Sequence, residues 1–95
     1  MKLRDAYQQK MEAQIDELNA RLALARARAK RLAADGKIIA HEELADTEKR
    51  LADLKAKVSE LGRAGESAWH DLTRGIDKAW ADLSRAAGKA IDRFN

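Results

Sequence analysis

Residues 68–94 read AWHDLTRGIDK (68–78), AWADLSRAAGK (79–89) and AIDRF (90–94), one motif given twice and then in part. Trp69, Trp80 and Ile91 are equivalent positions, as are Leu72, Leu83 and Phe94, and Ile76 and Ala87. The apolar steps are threes and fours. A period of eleven corresponds to ~3.67 residues per turn, close to the ~3.6 of an α-helix. One apolar seam therefore stays on one side of a straight helix, predicted over 67–94, and that seam needs a cover. Basic residues Arg74, Lys78, Arg85 and Lys89 fall roughly opposite it. Ala68, Gly75, Ala79, Ala86 and Ala90 occupy one boundary of the seam, where small side chains would let a neighbouring helix come close.

Upstream lies LGRAGES (61–67). Its two glycines weaken a helix, so a hinge is expected at 62–66, with Ser67 as N-cap of the helix that follows. A helix is predicted over 38–61, with the seam Ala40, Leu44, Thr47, Leu51, Leu54, Val58 and Leu61 and one polar interruption, Thr47. Another is predicted over 3–34, with the seam Met11, Ile15, Leu18, Leu22, Ala25, Ala29 and Leu32. Between them, Asp35-Gly36 is the only turn signal in the first half, so a turn is expected at 35–37. Arg21, Arg26, Arg28, Lys30 and Arg31 form a run without an acid among them, and Glu42, Glu43, Asp46 and Glu48 open the next helix. In a hairpin the two runs lie side by side.

Ninety-five residues make one domain at most. With 37% charged residues, 4% aromatic and no proline, the composition is that of long helices. The expected fold is all-α and elongated: an antiparallel helical hairpin or coiled coil plus a C-terminal amphipathic helix, three helices in one domain spanning 1–95. There is no cysteine and hence no disulfide framework. The start carries no apolar run of the signal-peptide kind, and no stretch is apolar enough to span a membrane, so a cytoplasmic protein is expected.

No catalytic constellation is visible, and the chain is expected to be a non-enzyme without cofactor or metal. His41-Glu42 begins like a zinc helix motif, but position 45, where a second histidine belongs, is Ala45. Glu66 and His70 could share a helix face, but two ligands fall short of the three or four zinc takes. The basic patch Arg21, Arg26, Arg28, Lys30 and Arg31 is read first as a charge match to Glu42–Glu48. No aromatic interleaves it, which disfavours nucleic acid.

The chain resembles a family of small bacterial coiled-coil proteins tied to stress response. The resemblance rests on a charged start with a tyrosine (RDAYQQKMEAQIDELNA), a charged middle helix (EKRLADLKAKVSEL), a Gly-Ser hinge and, most specifically, the tandem AW-DL repeat. It implies a stress-linked setting and no catalytic residues. The function expected is therefore a structural or protein-interaction module that self-associates through its seams, with a homo-oligomer or a helical protein as partner. The alternative is a peripheral binder of lipid or hydrophobic-granule surfaces through Trp69, Leu72, Ile76, Trp80, Leu83, Ile91 and Phe94. The weakest is a nucleic-acid binder through residues 21–31.

Overall fold

The computed structural model describes residues 3–94. Helix α1 spans Leu3–Ala29, α2 spans Ala34–Glu60, a 3-10 turn covers Leu61–Arg63, and α3 spans Glu66–Arg93. The three run up, down and up. Arg26 of α1 pairs with Glu48 of α2, Arg93 at the end of α3 pairs with Glu43 near the start of α2, and Tyr7 of α1 reaches Asp77 of α3. The molecule measures 50 × 21 × 17 Å, as expected for helices of ~40 Å laid side by side. The expected all-α, elongated three-helix architecture is the one observed.

Each helix contributes its seam to one core. Met11, Ile15, Leu18 and Leu22 of α1, Leu44, Leu51, Leu54 and Val58 of α2, and Ile76, Leu83 and Ile91 of α3 are buried together. Each large aliphatic so buried contributes roughly 1.5–3 kcal/mol. Ala25, Ala29 and Ala40 are buried at the hairpin end, where small side chains fill what little space the turn leaves. Thr47 is buried too, but its hydroxyl donates to the Glu43 carbonyl at 3.0 Å, so the polar interruption of the α2 seam is satisfied within its own helix.

The hairpin turn lies earlier than Asp35-Gly36. Helix α1 stops at Ala29 rather than reaching residue 34, and residues 30–33 make the reversal. The amides of Arg31 and Leu32 donate back three residues, to Arg28 and Ala29, which tightens the last turn. Ala33 is then extended and α2 begins at once. Gly36 falls inside the first turn of α2, and no described residue has a positive φ. Its role is close approach: a Cβ at this position would stand 3.2 Å from the Leu32 Cβ. Leu32 thus leaves the seam, folds over the start of α2 and stays 37% exposed. Asp35 serves the first turn of α2, where its charge suits the helix dipole.

The second connection is a true break, as the paired glycines suggest, and occupies residues 61–65. Ala64 and Gly65 are extended, and Gly65, not Ser67, is the N-cap of α3. Glycine is only a few tenths of a kcal/mol poorer than serine in that position. Gly75 does not mark a close helix contact either, since a Cβ there would meet nothing within 4 Å.

Candidate interaction surface

The C-terminal stripe is spent largely on the core. Ile76, Leu83 and Ile91 are buried, and Trp69, Leu72, Trp80 and Phe94 pack against the core while remaining half-buried. The stripes of α1 and α2 are covered more completely: every position from Met11 to Ala29 and from Ala40 to Leu61 that belongs to them is buried. Of the three stripes, that of α3 is therefore the least completely covered.

The basic patch is divided. Arg26 is bound to Glu48 at 2.5 Å, the hairpin charge match in one concrete pair. Glu43 goes instead to Arg93 of α3, and Asp46 pairs within its own helix with Arg50 at 3.1 Å. Exposed pairs of this kind contribute little to stability, up to ~1 kcal/mol, but they fix which helix lies beside which. Arg21, Arg28, Lys30 and Arg31 are all exposed. Both histidines are exposed: His41 lines a groove with Arg26, Ala29, Lys30, Lys37 and Leu44, and His70 lies on α3. Among the described residues, no group of three side chains is placed to hold a metal ion.

A clamp at the opposite end went unread in the sequence. The Arg4 guanidinium donates to the carbonyls of Leu61 at 3.2 Å and Ala64 at 2.5 Å, where α2 runs out of intrahelical donors. The same guanidinium lies 4.6 Å above the Trp69 ring centroid. Tyr7 meets Trp69 edge-on at 5.6 Å, and its hydroxyl donates to Asp77 Oδ1 at 2.5 Å. Burial, then this hydrogen bond and the Asp77 charge, push ionisation of the Tyr7 hydroxyl well above its ordinary value. Two signals in the sequence pointed here. A basic residue in the first turn of α1 is poorly placed for its own dipole, and a tyrosine at the end of an apolar seam needs a partner for its hydroxyl.

These features define an up-down-up three-helix bundle in which the stripe of α3 is the least completely covered. No helix among the described residues is long and apolar enough to cross a membrane. No family model, curated protein or solved structure matches the chain.

Proposed function

We propose that this chain is a non-enzymatic structural and protein-interaction module that associates with a second copy of itself along α3. The observation that carries the reading is the unequal cover of the three stripes. Trp69, Leu72, Trp80 and Phe94 keep apolar surface in water, whereas the α1 and α2 stripes keep almost none. A further helix laid along α3 would remove that surface, at roughly 25 cal/mol per Å². Large aromatic side chains are the usual anchors of such contacts. Asp71, Asp77, Asp82 and Asp92 interleave with Arg74, Lys78, Arg85 and Lys89, so a second copy is not met by charge of one sign. A bacterial, stress-linked setting is what the family resemblance adds.

Light scattering from micromolar to millimolar protein tests this. The mass should rise from one chain towards two, and Leu72→Gln, at a half-exposed position, should suppress the rise while the helix content is kept. A mass of one chain at every concentration would overturn self-association through α3.

A further inference from the structure

The exposed large aliphatic residues are not scattered. Leu24, Leu32, Ile38 and Ile39 are all exposed and fall within sixteen residues around the hairpin turn; among the described residues, the one other exposed large aliphatic is Leu3. Ile38 and Ile39 are 59% and 50% exposed, unusual for isoleucines that a helix could have turned inward. Both lie within ~8 Å of the start of α2, measured along its axis. Around them cations outnumber acids: Arg28, Lys30, Arg31 and Lys37 are exposed, against the exposed acids Asp35 and Glu42, while Glu43 is paired with Arg93. At the same pole an open groove of about 310 Å³ is lined by Arg26, Lys30, Lys37 and His41 over an apolar floor of Ala29 and Leu44.

We propose that the hairpin pole is a docking site for an anionic lipid surface, with Leu32, Ile38 and Ile39 entering the headgroup layer and Lys30, Arg31 and Lys37 meeting the lipid phosphates. The match is one of charge and depth. Interfacial segments bury their apolar side chains ~5–10 Å into the boundary, the depth at which these residues stand from the pole. Each lysine or arginine held near an anionic membrane strengthens binding about fivefold. A nucleic acid would use the cations but has no use for three exposed aliphatics, and no aromatic stands among them to stack on a base. This site lies on the hairpin and shares only its pole with Phe94 at the end of the α3 surface, while Leu72 lies towards the opposite pole, so the two are tested by different variants.

Flotation of the full chain with vesicles tests it, comparing pure phosphatidylcholine with a mixture containing phosphatidylglycerol. The chain should float with the anionic vesicles and not with the neutral ones, and added salt should weaken the binding. Lys30→Glu/Arg31→Glu/Lys37→Glu should reduce affinity roughly a hundredfold or more. Ile38→Ser/Ile39→Ser, which keeps every charge and alters only exposed side chains, should also lose most of the binding. Leu72→Gln should leave it unchanged. Failure to float with anionic vesicles would overturn the proposal. So would flotation indifferent to both pole variants, or salt-sensitive DNA binding that needs the cations but ignores Ile38 and Ile39.

Discussion

The Tyr7 hydroxyl gives to Asp77, and its ring edge rests on Trp69, so one side chain of α1 holds two positions of α3. Its neutral form is the one the fold favours, because burial and the nearby carboxylate both oppose a phenolate. The stabilisation is therefore complete below the ordinary tyrosine value of about 10 and falls as pH rises past it. There the unfolded chain sheds its phenolic proton while the folded chain keeps it. Tyr7→Phe should cost ~1 kcal/mol at pH 7, the usual net worth of one hydrogen bond. The deficit should shrink in urea melts above pH ~10, where the wild type alone is losing this contribution. Arg4 carries a complementary lesson. Its cation caps a helix to which it does not belong, and such a role is set by how three helices assemble, which no local spacing records.

Among the elements, α3 holds the clearest opportunity for change. Gly75 and Gly88 lie in its interior with helical backbone, and a Cβ at either would enter open space. Neither glycine is needed for a turn, a close approach or a positive φ. Gly75→Ala and Gly88→Ala should each raise stability by ~0.5–1 kcal/mol through helix propensity alone. In thermal melts of a chain this size, the pair together should gain several degrees, and a loss would show that one of these positions is crowded. Seams were the legible part of each element. The threes and fours of Met11 to Ala29 and of Ala40 to Leu61 mark residues that are in fact buried. Helix ends were less legible. Asp35-Gly36 has the composition of a stop, yet a glycine that yields to a neighbouring leucine and a glycine that turns left-handed are the same letter. Ser67 likewise has the chemistry of a cap, but Gly65 sits where the chain actually enters the helix.

For the molecule as a whole, shape follows from the matched lengths of three helices. A compact domain of this length has a radius of gyration of ~12 Å, whereas the Cα value here is 15.3 Å. Small-angle scattering from dilute protein should give an elongated particle with a longest dimension near 50 Å plus its hydration layer. A second copy aligned along α3 should thicken that particle and leave its length almost unchanged, while end-to-end contact would nearly double the length. The hairpin was legible because opposite charges flank the turn, and Arg26–Glu48 realises that pattern. The direction of α3 was not, because its charges alternate and its seam would fit a hairpin either way up. The clamp around Trp69 at one pole and the Arg93–Glu43 pair at the other show which way it lies.

The placement of the aromatic rings has an optical consequence. Both tryptophans belong to α3, the single tyrosine belongs to α1 and touches Trp69, and α2 carries no aromatic side chain. Indole emission is thus a private reporter of how α3 sits on the hairpin, whereas far-ultraviolet dichroism weighs all three helices alike. Should α3 lift away before the hairpin melts, the two signals will part company during heating, and the gap between their midpoints will measure how independently the third helix is held.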